Sequence, residues 1–242
     1  MMGVDLAGKA ALVTGGARRI GAAISLALAE RGVRVAIHCR ASRAEADALA
    51  ARCPGSVVVQ GDLAAPDAPA RLVAEAWERL GHLDVLVNNA ASYEKVSPEE
   101  IDPAAWDRTL AVNLRAPFFL ARDAAVRMRA RGAGAIVNLT DWAVHRPYPA
   151  YLPYFAAKGG LEAATAGLAR AFAPEVRVNA VAPGPILLPD DAPPEQRAAV
   201  ERATPLGRLG GTDAIVSAVL FLVGNDCVTG TTVAVDGGRS LR

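Results

Sequence analysis

Tyr154 and Lys158 stand four residues apart at the start of an amphipathic segment, so on a helix their side chains share one face. An ammonium beside a phenol favours the phenolate and draws its pKa down toward a range useful for proton transfer. That spacing often arises by chance. Its context gives it weight, because Asp141 closes a predicted strand a short way upstream. Asn113 adds a further signal. A helical carbonyl at residue i bonds the N–H of residue i+4, and here that residue is Pro117, which has no N–H. The helix should kink there and leave the Asn113 carbonyl free for a water or a lysine. A purely structural kink fits the same residues.

A second constellation lies near the N-terminus, where Thr14-Gly15-Gly16-Ala17-Arg18-Arg19-Ile20-Gly21 follows a predicted strand and opens a predicted helix. Glycines let the backbone approach a pyrophosphate, and a helix N-terminus offers oriented N–H groups with partial positive charge. Packing of helix against strand explains glycines equally well. Arg18 and Arg19 favour the anion, since cations there oppose the helix dipole unless an anion offsets them. The second strand ends His38-Cys39-Arg40-Ala41-Ser42, with no acid before Glu45. A ribose 2′-hydroxyl calls for Asp or Glu at this place, and a 2′-phosphate for cations and hydroxyls. NADP is therefore expected over NAD, with Arg18, Arg40 and Ser42 as phosphate ligands. Arg40 as a solvated surface cation is the plainer reading.

The elements that hold these residues follow from hydrophobic patterning. Apolar runs at Ala10–Val13, Val33–His38, Ser56–Gln60, Leu83–Val87, Ala135–Leu139, Arg177–Val181 and Thr231–Val235 read as strands. They are nearly continuous, as expected of strands covered on both faces. Amphipathic segments between them predict helices over 19–31, 43–52, 67–80, 104–130, 154–173 and 212–223. Strand and helix alternating in this way predicts an α/β fold, a doubly wound parallel sheet of Rossmann type. The pattern runs to the C-terminus without a linker or repeat, so residues 1–242 read as a single dinucleotide-binding domain. The Pro-rich stretch 184–205 breaks it. A long connection at the carboxyl edge of such a sheet reads as a substrate lid.

Composition narrows the partners. Of 242 residues, 52% are hydrophobic and 21% charged, which excludes a disordered chain. A net charge of +1 gives no field to draw the protein to nucleic acid or anionic lipid, so a small-molecule partner is expected. Cys39, Cys53 and Cys227 form no pair, and His38, His82 and His145 are scattered. No disulfide framework or metal site is expected, only buried thiols and surface imidazoles. No run reaches the ~18 apolar residues of a membrane span, and the first strand begins too early for a signal peptide. A cytoplasmic, non-membrane protein is expected.

Taken in order, the Thr14–Gly21 turn, Asp62-Leu63, Asn88-Asn89-Ala90, Asn113, Tyr154/Lys158, Pro183-Gly184 and Asp236-Gly237-Gly238 resemble the short-chain dehydrogenase/reductase superfamily over nearly the whole chain. Two departures resemble the pteridine reductases within it. Arg19 occupies the middle glycine position of the turn, and Asp141 stands thirteen residues before Tyr154, where the catalytic serine is usual. The segment from Pro183-Gly184 through Asp190-Asp191-Ala192-Pro193-Pro194 and the Gly237-Gly238-Arg239-Ser240-Leu241 ending resemble that group too. Ala91, in place of a usual serine after Asn-Asn-Ala, departs from it.

The resemblance implies NADP(H) bound by Gly15, Arg18, Arg19, Ile20, His38, Arg40, Ser42, Asp62, Leu63, Asn89, Ala90, Thr140, Tyr154, Lys158, Pro183, Gly184 and Ile186. It implies a pterin held by Arg19, Tyr93, Asp141, Tyr154, Pro185 and Leu188, with Tyr93 stacking on the ring. Asp141, Tyr154, Lys158 and Asn113 would be catalytic, and the assembly a homotetramer or dimer. Chemistry agrees with Asp141. An ionised carboxylate would repel the oxyanion of a reduced ketone, whereas a protonated or water-linked one can give a proton to a ring nitrogen. Thr140 cannot readily stand in for the serine, because neighbouring strand residues face opposite sides. The expectation is an NADPH-dependent reductase of a dihydrobiopterin- or dihydromonapterin-like ring. A ketone or 3-oxoacyl reductase and a non-catalytic dinucleotide sensor are the alternatives.

Overall fold

In the computed structural model, residues 4–189 and 192–241 are described; Asp190 and Asp191, quoted above from the 183–194 segment, lie outside them. Seven strands form one parallel sheet: β1 (Ala10–Val13), β2 (Arg34–Cys39), β3 (Val57–Gln60), β4 (Val85–Asn88), β5 (Gly134–Leu139), β6 (Val176–Pro183) and β7 (Thr232–Val235). Their spatial order is β3-β2-β1-β4-β5-β6-β7. The order reverses between β1 and β4, where Val13 pairs with Val87. In doubly wound sheets ligands bind outside the carboxyl ends of the strands at such a switch. Each predicted strand is present, its ends displaced by at most two residues and those of β1 not at all.

Helices α1 (Arg19–Ala29), α2 (Arg43–Ala50), α3 (Ala68–Leu80), α4 (Pro103–Leu110), α5 (Ala116–Ala130), α6 (Leu152–Phe172), α7 (Pro194–Arg202) and α8 (Gly211–Gly224) cover the sheet. Alternation along each strand divides the core between two layers. Leu12, Leu86 and Ile136 pack toward α3, α5 and α6 with Leu120, Met128 and Leu168. Val13, Val87 and Val137 turn the other way, onto α1 and α8 with Ile24, Leu28 and Ile215. Both faces are dry, which is why the strands show no polar alternation.

Two sequence expectations need correction. The helix predicted over 104–130 is α4 and α5 joined by a π-helical turn at Ala111–Arg115. The interruption falls around Asn113, four residues before Pro117, where the missing N–H requires it. The predicted lid is not simply a loop, since Pro194–Arg202 forms α7 within it. Pro193 and Pro194 punctuate its start, and prolines at a first helical turn are compatible with a helix beyond.

Candidate active site

Because every strand is parallel, all seven carboxyl ends open on one edge, and a cleft of about 1130 Å³ runs along it. Its floor is built where β1 meets β4. Asn89 Nδ2 donates to the Thr14 and Gly15 carbonyls at 2.9 and 3.1 Å. Thr14 Oγ1 in turn accepts from the Asn89 and Ala90 amides at 2.9 and 3.1 Å. The turn after β1 is thereby fastened to the end of β4. Gly15 has φ +60°, and a Cβ there would lie 3.1 Å from both Ala90 Cα and Asn89 Nδ2. At Gly21 a Cβ would collide with the Gly15 carbonyl. Only glycine permits this closure, which leaves the N-terminus of α1 open toward the cleft.

Arg19 takes φ +51°, alone among the described non-glycine residues in the left-handed region. It accepts a conformation suited to glycine. From there its guanidinium reaches across the cleft and donates to the Leu188 carbonyl at 3.4 Å. Two residues expected at the substrate therefore touch, one on the phosphate turn and the other on the connection after β6.

His38 is buried, which corrects the expectation of surface imidazoles. Its Nδ1 accepts from the Gly15 amide and its Nε2 faces the Gly61 carbonyl, both at 3.1 Å, so the proton is assigned to Nε2. Burial holds this ring below the ordinary histidine range, consistent with a neutral imidazole. It braces the turn, and its edge lines the cleft. Arg18, Arg19, Ile20, Arg40, Asp62, Leu63, Asn89, Ala90, Thr140, Pro183, Gly184, Pro185, Ile186 and Leu188 line the cleft as well. Ser42 does not; it precedes α2 as an N-cap residue without a side-chain cap bond. The thiols of Cys39 and Cys53 are buried as expected, but Cys227 is exposed.

At the other end of the cleft, Asp141 follows β5 and Tyr154 opens α6. The Tyr154 hydroxyl donates to Asp141 Oδ2 at 3.0 Å, and Asp141 Oδ1 accepts from the Ala143 amide at 2.8 Å. Lys158, one turn along α6, is buried and donates to the Leu139 carbonyl at 2.7 Å. Burial pushes the Asp141 carboxyl above its usual range, against the pull of the Ala143 amide, Tyr154 and Lys158. The same burial, with Asp141 beside it, raises Tyr154 well above an ordinary phenol. Lys158 falls to about 8, burial outweighing the attraction of Asp141. The expected lowering of Tyr154 by Lys158 does not prevail here: the loss of water, and after it the nearby Asp141, raise the phenol instead. Thr140 Oγ1 lies 3.2 Å from the Val181 carbonyl, directed at the neighbouring strand and unable to replace a serine facing the cleft.

Asn113 is wholly buried and does not line the cleft. Its Nδ2 donates to the Ser92 and Thr109 carbonyls at 2.9 and 3.0 Å, and its Oδ1 accepts from the Ser92 amide at 3.1 Å. The side chain ties the π turn to the loop after β4. That loop carries Tyr93, 53% exposed and stacked on Tyr151 with ring centroids 4.1 Å apart. Tyr93 also meets Tyr154 edge-on at 4.7 Å. Sequence reasoning missed Tyr151, Trp142, Tyr148 and Arg239, all of which line the cleft. The cluster of aromatics at 142–154 was the available signal.

The deep polar cradle at β1 and β4, with a proton-handling pair alongside it, is the arrangement of a dinucleotide-dependent oxidoreductase. A family model described as enoyl-(acyl carrier protein) reductase matches residues 15–240, and the chain belongs to the short-chain dehydrogenase/reductase family. It is similar to the structure of FolM alternative dihydrofolate reductase 1 from Brucella canis complexed with NADP, with TM-score 0.92 and 38% identity, covering 98% of this chain and 96% of that one. Among curated relatives, a cis-4-hydroxycyclohexanecarboxylate dehydrogenase of Sinomonas cyclohexanicum is 38% identical, covering 98% of each chain. A putative ketoacyl reductase 2 of the granaticin polyketide synthase of Streptomyces violaceoruber is 35% identical, covering 96% of each. Among the described residues, no group of three or more His, Cys, Asp or Glu could hold a metal ion, and no helix is long and apolar enough to cross a membrane.

Proposed function

We propose that this protein is an NADPH-dependent reductase of a pteridine-type ring, of the dihydrobiopterin or dihydromonapterin kind. The observation that carries this reading is the 3.0 Å bond between Tyr154 and Asp141, a carboxyl where a ketone reductase needs a neutral hydroxyl donor. Bound in the cleft, the dinucleotide would supply the hydride. Gly15 and the open start of α1 would hold its pyrophosphate, and Arg18 and Arg40 a 2′-phosphate. Both arginines line the cleft, and no acid stands at the end of β2 to select an unmodified ribose. Lys158 would hold the nicotinamide ribose. Asp141, its carboxyl favoured toward the protonated form by burial, would pass a proton to the ring nitrogen, with Tyr154 sharing the same proton path. The parallel rings of Tyr93 and Tyr151 suit a flat heteroaromatic at the mouth. Arg19, already reaching to Leu188, would close over it.

The runner-up is a ketone reductase, favoured by the activities for which the curated relatives are named. NADPH oxidation by the purified protein against a panel of pterins, folates, quinones and ketones separates the two. Turnover of reduced pterins or folates is expected; robust ketone turnover with no pteridine activity overturns the reading.

A further inference from the structure

Beyond Trp142 the main cleft continues into a smaller annex of about 260 Å³, walled by Trp142, Arg146, Tyr148, Ala203 and Arg239. Trp142, Tyr148 and Arg239 line both spaces, so the annex is an extension of the cleft. It begins one residue after Asp141, beside the proton-handling pair. Two guanidinium groups face it, and neither has an ion pair or side-chain hydrogen bond among the described residues. For Arg146, which is exposed, water suffices. Arg239 differs, because its Nη1 is shut off from solvent and still lacks an acceptor. Its guanidinium lies over the Trp142 ring, 5.7 Å from the centroid, and an aromatic face does not accept a hydrogen bond as an oxygen does. Nη1 is closed off from the annex as it is from solvent, so an anion there would meet the rest of the fork and offset the charge of a guanidinium that has given up water without gaining an acceptor.

The anion cannot be the phosphate of the dinucleotide's adenosine half. Arg239 follows β7 and Arg146 follows β5, whereas Arg18 and Arg40 follow β1 and β2. The sheet order β3-β2-β1-β4-β5-β6-β7 sets these pairs toward opposite ends of the cleft. The annex is on the substrate side.

We infer that the annex is a carboxylate subsite, and that the substrate, where biopterin and monapterin bear a neutral hydroxyalkyl chain, carries an acidic tail reaching past Trp142 to Arg239 and Arg146. Trp142 and Tyr148, edge-on at 6.2 Å, form an apolar wall shared by cleft and annex, along which the tail's carbon chain would lie. Two guanidinium forks then receive the carboxylate, the geometry that favours arginine for planar anions. The inference rests on the substrate lying in the cleft as proposed above, and does not require that substrate to be a pteridine.

The test uses matched acids and esters with the NADPH-loaded enzyme. Calorimetric titration with 4-aminobenzoylglutamate and its dimethyl ester reads the annex without turnover. KM values for dihydrofolate and its diester, and for 4-oxocyclohexanecarboxylate and its methyl ester, read it with turnover. The acid is expected to bind at least tenfold tighter than its ester, and R239Q combined with R146Q to bring that ratio near one. R239K, which keeps the charge and loses the fork, should restore part of it. Equal affinities for acid and ester in the unaltered enzyme overturn the inference. So does a double variant that keeps the ratio, or one whose main effect is a lower assembly mass, which would make the annex a contact between subunits. Pteridine turnover without acid preference would sink the annex and leave the pteridine reading. Acid preference among ketones alone would do the reverse.

Discussion

The hydroxyl of Tyr154 donates to Oδ2 of Asp141 across 3.0 Å, joining the start of α6 to the end of β5. The two stand thirteen positions apart in the chain, and both line the cleft. Both groups are held toward their protonated forms, Asp141 by burial and Tyr154 by burial and by the carboxylate next to it. Two acids so coupled titrate as a pair. A proton given up by one can be replaced from the other without rearranging the backbone.

Replacing Tyr154 by Phe removes that proton and the bond to Asp141 while keeping the ring against Tyr93 and Phe155. Turnover should fall at least ~10²-fold, as for loss of a general acid. NADPH affinity, measured by fluorescence titration, should stay within about twofold. Retained turnover would exclude Tyr154 from proton handling.

Asp141→Ser restores the residue usual in ketone-reducing relatives. The Ala143 amide keeps an oxygen acceptor within reach, so the local turn should survive. If the carboxyl serves C=N reduction, pteridine turnover falls sharply, NADPH affinity holds and weak ketone activity can emerge. Unaltered pteridine kinetics would remove the main argument for that substrate class.

Lys158 links the site to stability. Its folded value is about 8, against 10.5 for the free side chain. Below pH 8 the folded protein therefore carries a buried ammonium at a cost. Between 8 and 10.5 the unfolded chain binds more protons, so stability rises with pH from this group. Comparison with Lys158→Met isolates it from other titrations. In urea unfolding, the stability of the parent relative to the variant should climb by about 2 kcal/mol between pH 7.5 and 9.5. A flat difference would show that the amine is not held in its depressed state.

Assembly gives a fourth test. The outward side of α6 carries Ala156, Ala163, Ala166, Gly167 and Ala171, all exposed, and α5 exposes Val126. Small residues let a second helix approach closely, and a repeated copy is the partner with matching small residues. We propose a homotetramer built on these faces, or failing that a dimer. Light scattering at micromolar concentration should give a multiple of the chain mass, and Ala163→Arg should lower it. A monomer in the parent protein contradicts the proposal.

The fold was legible because its signals were local. Unbroken runs such as Ala10–Val13 and Ala135–Leu139 can be satisfied only between two helical layers, and the structure puts them there. The position of the helix interruption near Asn113 was legible from Pro117 alone. Less was available where tertiary surroundings decide. The role of His38 depends on Gly15 and Gly61, which no spacing rule connects to it. The direction of the Tyr154 shift depends on how much water is excluded, and the sequence shows the charged neighbours but not the burial. Arg239 reads as part of a C-terminal motif; only the packing of Trp142 over it reveals a buried donor. Residues 194–202 read as loop because Pro193 and Pro194 at their start masked a short polar helix with no buried side chain among the described residues.

Cofactor choice separates two residues that the sequence treated alike. Arg40 lines the cleft at the end of β2, its own carbonyl fixed by a 2.9 Å bond from Gln60 Nε2. Ser42, two residues on, lies outside the lining and begins α2. A 2′-phosphate at this strand end would therefore meet Arg40, with Arg18 lining the same cleft, and not the Ser42 hydroxyl. NADPH should bind at least tenfold tighter than NADH, a difference of about 1.4 kcal/mol. Arg40→Asp substitutes a carboxylate that repels the phosphate and can accept from a free ribose hydroxyl, so the preference should reverse toward NADH. Ser42→Ala should change the ratio by less than about twofold, within the few tenths of a kcal/mol expected of a surface change. Fluorescence titration of both cofactors against the three proteins decides the matter. Equal affinities in the parent, or a larger effect from Ser42 than from Arg40, would displace the phosphate from the end of β2.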